Sequence, residues 1–407
     1  MTQGRLARAL GHGTQASAAG RSARIDFLRG VAILAVLVLH FSLTYDLVRS
    51  PLSQILPARW IHSAVINGNY GVTIFFVISG FLITSNNLLR YGRLADVRLR
   101  QFYAFRFSRI VPPLLLALCI ILPLGLLGVP SFTNSQHGHA LPAAFFLVAI
   151  ASVLTFWHNV LMQIVGYFNY CLNIYWSLSV EEVFYLSFPI ACTLLKRDRL
   201  IIALCLAAIV LGPVYRSVHR DNEIFFLYAY PACFDAIAFG CLAALLQAKF
   251  PIGRRVGMLL RWAGGMGLAI GYFAGIDGHE IFGFSLIAMC TVGLLANGFD
   301  GAARNGIESA TPNKVDGAAP GRRFIFSRIL GWFGRHSYEL YLFHIILLAG
   351  LRDLVPKATL PMVLKLPLFL VYLGVSGLIA GMAARYFADP LNVRLRRRLA
   401  SGTPTMP

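Results

Sequence analysis

The stretch RIDFLRGVAILAVLVLHFS, residues 24–42, carries Arg29 and His40 eleven residues apart in a run that is otherwise nearly all apolar. Such a run predicts a membrane-crossing helix. Ionisable groups at membrane depth are costly, so the pair marks a functional surface. At 100° per residue, eleven residues make about three turns, which sets Asp26, Arg29, Ile33, Leu37 and His40 along one stripe, with His40 about 16 Å deeper than Arg29.

Composition points the same way. The 407 residues are 57% hydrophobic and 13% charged, with a mean hydropathy of +0.67, a balance that a soluble domain could not keep in solution. The expected fold class is all-α: a polytopic transmembrane helix bundle in the plasma (inner) membrane, with the lipid bilayer as its surroundings. The net charge of +19 comes from 36 basic and 17 acidic residues. These basic residues cluster in loops between apolar runs, the pattern of membrane orientation, and no basic soluble domain exists to bind nucleic acid. The seven cysteines lie mostly inside apolar runs without a C-x-x-C pair, and read as small core residues.

Eleven apolar segments are legible: roughly 25–45, 71–89, 110–129, 143–162, 173–195, 199–215, 226–247, 257–275, 281–298, 335–351 and 366–388. The basic tail 1–23, the arginine-rich loop 90–109 and the arginines of 394–398 should all face the cytoplasm, which an odd number of crossings forbids. Removing 143–162, as a re-entrant or surface-lying piece, restores the charge pattern. The expectation is therefore about ten spans with cytoplasmic termini: a flexible tail over 1–23, a membrane domain over 24–398 interrupted by a cytoplasmic linker at 300–323, and a C-terminal tail over 399–407.

Three ionisable groups fall at comparable depth. Glu181 lies one-third to one-half of the way across its span, and His344 lies nine residues into the span that begins at Arg335. With His40 they form a set able to hold a general base and the group that orients it. Arg106 and Arg109, three apart, share a helix face on which two guanidinium forks could clamp a phosphate. Pro112 and Pro113 should open the apolar run that follows, as prolines do in a first helical turn. His137 and His139 have no third ligand nearby, so no metal is expected.

These residues resemble a family. Arg24-Ile25-Asp26-Phe27-Leu28-Arg29-Gly30 with His40 is similar to the R-x10-H opening of the membrane-bound acyltransferase-3 family, the sugar O-acyltransferases. Further matches follow in order: Phe75 to Ile83, the R-x-x-R of Phe105 to Ile110, Trp176 to Tyr185, and Ser337 to His344. Five motifs in sequence, over residues 24 to about 398, make the resemblance specific. One segment departs from it: where the family commonly has an arginine two before Asp235, this chain has Cys233.

The resemblance implies the membrane module alone, without an appended hydrolase-like domain after residue 398. It implies an enzyme that takes an acyl group, most often acetyl, from cytoplasmic acyl-CoA to a hydroxyl of a glycan or lipid-linked sugar. His40 is the expected base, or alternatively a nucleophile that carries the acyl group as an acyl-imidazole. Glu181 would orient or charge-balance it, and Arg29 would hold the thioester oxygen or a phosphate. Arg106 and Arg109 would bind the CoA phosphates, and Asp26, His344 and Tyr338 are candidates for substrate binding. Gly71 and Gly80 should allow close helix approach beside the substrate path. The competing class is a proton-coupled carrier or channel for an anionic solute, but duplicated halves and paired broken helices are absent from the sequence.

Overall fold

A computed structural model describes residues 22–136, 138–297 and 325–400, so the linker 300–323, His137 and all but two residues of each of the tails 1–23 and 399–407 lie outside the described residues. What is described is almost entirely helical. In chain order the helices are α1 (Ala23–Tyr45), α2 (Ala58–Ile66), α3 (Tyr70–Tyr91), α4 (Leu99–Leu126), α5 (Phe145–Leu154), α6 (His158–Val165), α7 (Trp176–Leu195), α8 (Asp198–Val218), α9 (Glu223–Tyr228), α10 (Tyr230–Lys249), α11 (Arg254–Ala274), α12 (Glu280–Leu294), α13 (Ile325–Arg335), α14 (Ser337–Leu354), α15 (Lys365–Met382) and α16 (Asp389–Ala400). A two-residue hairpin, Ser135–Gln136 against His139–Ala140, is the strand structure among them.

Among the described residues, eight helical stretches are long and apolar enough to cross a membrane. Segment 143–162 is not among them. It is broken into the short helices α5 and α6 by a turn in which Phe156 takes a positive φ of 64°. Helix α12, with 15 residues, is shorter than those eight. Helix α14 carries Glu339, Arg352 and Asp353 within its 18 residues.

The prolines need a correction. The third apolar run does not begin at Pro112 but lies inside α4, whose first turn is at Leu99, and Pro112, Pro113 and Pro123 are all interior. A proline inside a helix costs the bond to the carbonyl four residues back, and in a bundle neighbouring helices can compensate. The sequence signal failed because polar Arg100, Gln101, Arg106 and Arg109 hide the first three turns from a hydropathy reading.

Burial separates the centre from the rim. In the stretch that includes α10, 67% of the apolar window is buried, against 11% in α11, whose apolar side chains face outward as lipid-facing ones do. Five of the seven cysteines are buried, Cys290 is half-buried and Cys119 is exposed on α4. Two apolar cores form. One gathers side chains of α3, α7, α8, α10 and α12, and the other those of α4, α5, α6, α14 and α15, with α1 contributing to both.

A close crossing joins α3 to α10. A Cβ at Gly80 would collide with the carbonyl of Ile237, and one at Gly240 with the carbonyl of Val77. This reciprocal pair is the small-residue packing that draws membrane helices together where lipid offers no hydrophobic drive. Helix α13 meets α1 in the same way through Gly30 and Gly334.

Contacts also order the helix ends. Arg24 donates to the carbonyl of Ala296 at 2.9 Å, as Arg261 does at 3.3 Å, and Arg90 and Arg396 both lie against the Phe105 ring. At the opposite end Asn67 donates to Tyr272 at 2.6 Å, Lys365 to Asp46 at 3.0 Å and Tyr45 to Val355 at 3.1 Å. The first and last described helices thus begin and finish, respectively, at one end of the bundle.

Gly80→Val should cost about 1–3 kcal/mol by overpacking the α3–α10 crossing. Thermal unfolding of the purified protein in detergent would register it as a lowered midpoint, whereas Gly350→Val, at a glycine with open space around it, should leave the midpoint near wild type.

Candidate active site

The bundle brings His40 and His344 together. Their ring nitrogens, His40 Nδ1 and His344 Nε2, are 3.1 Å apart, and the ring centroids 5.1 Å. His344 is fully buried while His40 is half-buried. The other nitrogen of His344, Nδ1, faces the carbonyls of Leu340 at 2.9 Å and Tyr341 at 2.8 Å.

Hydrogen-bond chemistry then fixes the tautomers of the neutral pair. Carbonyl oxygens only accept, so His344 carries its proton on Nδ1 and has a lone pair on Nε2. That lone pair accepts from His40 Nδ1–H, and His40 Nε2 keeps a lone pair of its own. The arrangement assigns protons through the network, as the second shell of a histidine site does.

Helix α1 supplies this site because three turns separate the two polar residues of its stripe. Its outer face carries Val31 and Leu43, and its inner face Ile33, Leu37 and Phe41. At the near end Arg29 donates from Nε to Ser337 Oγ at 3.1 Å, so the opening motif reaches both the first residue of α14 and, through His40, its middle. One turn past His40, Thr44 Oγ1 bonds to Tyr170 OH at 2.7 Å, and Arg352 lies 4.9 Å from the Tyr170 ring.

Glu181 sits in an adjoining polar group. It accepts hydrogen bonds from Ser79 Oγ and Tyr185 OH, and among the described residues none comes from an imidazole. The connection to the histidines runs through Ser177, one turn earlier on α7, which bonds to Tyr341 OH at 2.5 Å; Tyr341 is one turn before His344 on α14, with ring centroids 5.9 Å apart. Ser79, Ser177, Tyr185 and Tyr341 have no role in the sequence reading, although all but Ser177's partner Tyr341 lie in motifs of helices α3 and α7, and Tyr341 lies in that of α14. Small hydroxyls in apolar helices give no periodic signal, so only packing reveals them.

The arginine pair divides. The Arg106 guanidinium lies 3.6 Å from the centroid of the Tyr185 ring, whereas the Arg109 side chain belongs to an exposed residue. Glu182 is buried between these charges and Glu181, with Oε1 accepting no hydrogen bond. Tyr338 gives its hydroxyl to the carbonyl of Ile110 at 2.9 Å, two residues before Pro112. Asp26 is buried beside a cavity of about 1020 Å³ lined also by Arg24, Arg328, Trp332 and Arg335. No group of three or more His, Cys, Asp or Glu with metal-ligand spacing occurs among the described residues.

Comparison with known proteins bears on this geometry. The acyltransferase domain family, acyltransferase 3, matches residues 22–386. The chain belongs to that family. It is 24% identical over 388 residues to O-acetyltransferase OatA of Staphylococcus aureus, a match that takes in 90% of this chain and 56% of the relative. It is 26% identical over 203 residues to peptidoglycan O-acetyltransferase OatA of Listeria monocytogenes, covering 48% of this chain and 28% of that protein. The chain spans about half the length of the Staphylococcus relative. No solved structure matches it.

Membership makes the departure at Cys233 informative. Asp235 is not left alone: Arg216 of α8 donates from Nη2 to its Oδ2 at 2.7 Å, with both side chains 2% exposed. Arg216 also donates to Ser285 Oγ at 2.7 Å, to the carbonyl of Ile281 at 2.9 Å and to that of Ala232. An arginine from a different helix thus meets the aspartate. No local pattern marks it, because Arg216 lies at the end of an apolar run as an ordinary interfacial anchor would.

A buried pair of this kind is costly to break and cheap to replace whole. Arg216→Met should destabilise the protein by about 3–5 kcal/mol by leaving Asp235 uncompensated. Adding Asp235→Leu should recover most of that loss, as measured by thermal unfolding; a double variant no more stable than the single would deny the pairing an electrostatic role.

Proposed function

We propose that the protein is a membrane O-acetyltransferase that moves an acetyl group from acetyl-CoA, approached from the cytoplasm, to a hydroxyl of a glycan or lipid-linked sugar. The observation that carries this reading is the pair of imidazoles held in one tautomeric state, with His40 Nε2 left as the base. The family and the printed activities of its relatives support the reaction class.

In the proposed step His40 Nε2 takes the proton of the acceptor hydroxyl while that oxygen bonds to the thioester carbonyl carbon. The tetrahedral intermediate collapses, the C–S bond breaks, and the sulfur leaves with the proton returned by the imidazolium. His344 is a positioning residue in this scheme. Its Nε2 accepts from His40 Nδ1, which disperses the charge that His40 gains when it is protonated. This replaces the substrate-binding role expected from the motif, since both nitrogens of His344 are engaged.

Arg29, near Ser337 at the mouth of the stripe, is placed to meet the thioester or phosphate, and Glu181 to fix Tyr185 under Arg106. Asp26 keeps a substrate-side role at its cavity, and Tyr338 contributes by packing α14 on α4. Thr44, Tyr170 and Arg352, one turn past His40, offer hydroxyls and a cation toward the acceptor. The carrier reading has no comparable support.

The topology is part of the proposal: ten spans, both termini cytoplasmic. Its support is the gathering of Arg24, Arg90, Arg261 and Arg396 at one end of the bundle, as the positive-inside rule requires. Cysteine placed at Arg93 should react with an impermeant maleimide only after the membrane is opened, and cysteine at Ala358 should react in intact cells. The reverse pattern would invert the donor and acceptor sides.

Two variants test the chemistry. His40→Ala should abolish transfer by purified protein while leaving insertion intact. His344→Phe, which keeps ring volume but loses the acceptor, should lower kcat by about 10²–10³ with little change in KM, within the range of general-base effects. His344→Gln should recover part of kcat by offering an amide oxygen to His40 Nδ1–H. Transfer by His40→Ala within a few-fold of wild type would remove this residue from the reaction.

A further inference from the structure

Beyond residue 386, where the family match ends, helix α16 carries Arg396 against the body of the protein. It docks on α4 by a hydrogen bond from Ser108 Oγ to Asn392 Oδ1 at 3.0 Å. The guanidinium of Arg396 then lies 5.2 Å from the Phe105 ring, and that of Arg90, from the last turn of α3, lies 4.7 Å from the same ring. The ionised groups acting on Arg396 are Arg109 and Arg90, cations both.

Two guanidinium groups from two helices therefore meet on one aromatic side chain, and Arg109, one turn further along α4 than Phe105, is close enough to act on one of them. Neither Arg90 nor Arg396 is in an ion pair with a carboxylate among the described residues. Arg396 Nε is buried and has no acceptor. Within the bundle, Arg106 and Arg109 both lie close enough to Glu182 to act on it.

The energetics call for an anion. Stacking of a guanidinium on phenylalanine is worth about 0.5–1 kcal/mol at an exposed site. Two cations held close repel by a similar or larger amount in a partly desolvated setting. A buried N–H donor without an acceptor adds a further penalty. A phosphate removes both costs, because its oxygens accept from guanidinium forks and its charge offsets theirs.

We propose that Arg90, Arg109 and Arg396 form a phosphate-binding site around Phe105, completed by the C-terminal helix. The R-x-x-R motif then acts unequally: Arg109 joins the site while Arg106 is held over Tyr185. Phosphate of this kind comes from two sources at a membrane surface, the nucleotide of an acyl-CoA donor or the headgroup of an anionic lipid. The first rests on the donor reading above and the second does not.

The experiment uses the full chain, purified and placed in nanodiscs, with Arg90→Gln, Arg396→Gln and Arg396→Lys. For the nucleotide source, adenosine 3′,5′-bisphosphate should raise the thermal midpoint of wild type, and each Gln variant should need at least tenfold more of it for the same shift. The KM for acetyl-CoA should rise in parallel, with that for an acetyl-pantetheine thioester unchanged. For the lipid source, phosphatidylglycerol discs should stabilise wild type relative to phosphatidylcholine discs, and the Gln variants should lose that gain at unchanged KM.

Arg396→Lys keeps the charge and should retain part of either response, which separates ligand binding from loss of the helix. If neither probe distinguishes the Gln variants from wild type, no phosphate site exists there. A wild type without transferase activity would refute the proposed function, and the two stabilisation measurements would still decide this site.

Discussion

The hydrogen bond between His40 and His344 is the constraint on which the site depends, because it can form only if α1 and α14 keep their register through the middle of the bundle. A polar atom at that depth has no water to fall back on, so each nitrogen must find its partner in protein. The helices meet this demand in a short relay: carbonyls of Leu340 and Tyr341, then His344, then His40. Everything that fixes α1 contributes to it. Gly30 admits α13, Gly71 lets the carbonyl of Ala32 come close to α3, and Arg29 ties the first turns to Ser337.

A second constraint is charge. Two sets of buried polar groups join elements distant in sequence. Arg216 draws Asp235, Ser285 and two carbonyls together from α10 and α12. Glu181 gathers Ser79 and Tyr185, and Tyr185 in turn supports Arg106. Such sets cost more than apolar packing of equal volume, and their persistence points to a need for specific geometry. The glycine contacts between α3 and α10 answer the same need, since they hold Ser79 on α3 one residue from the crossing point.

The architecture was largely legible in the sequence because long apolar runs leave few alternatives in lipid. Segments such as 25–45 and 71–89 reappear as α1 and α3 within a few residues. The misreading at Pro112 arose where helix and hydrophobic run diverge: α4 extends eleven residues beyond its apolar part, and proline in a membrane bundle is not a reliable start signal. At the site, ionisable residues were visible because apolar surroundings expose them. Their partners were not. Ser177, Tyr341 and Ser337 are ordinary residues until the fold sets their oxygens beside a neighbour, and Arg216 looked like a loop residue until the bundle enclosed it.

Imidazole is the group that best suits the middle of such a bundle. A carboxylate there needs several donors, as Glu181 has in Ser79 and Tyr185. A neutral histidine is basic without carrying charge, and a second histidine can accept its spare proton contact without introducing charge either. In the proposed step, charge on His40 exists only while a proton is in transit, when the acceptor's oxygen is becoming part of an anionic intermediate. On the proposed reading, a pair of neutral rings in the middle of the bundle, with Arg90, Arg109 and Arg396 toward its end, gives the helices a base in an apolar setting and leaves phosphate recognition to groups that need not be buried with it.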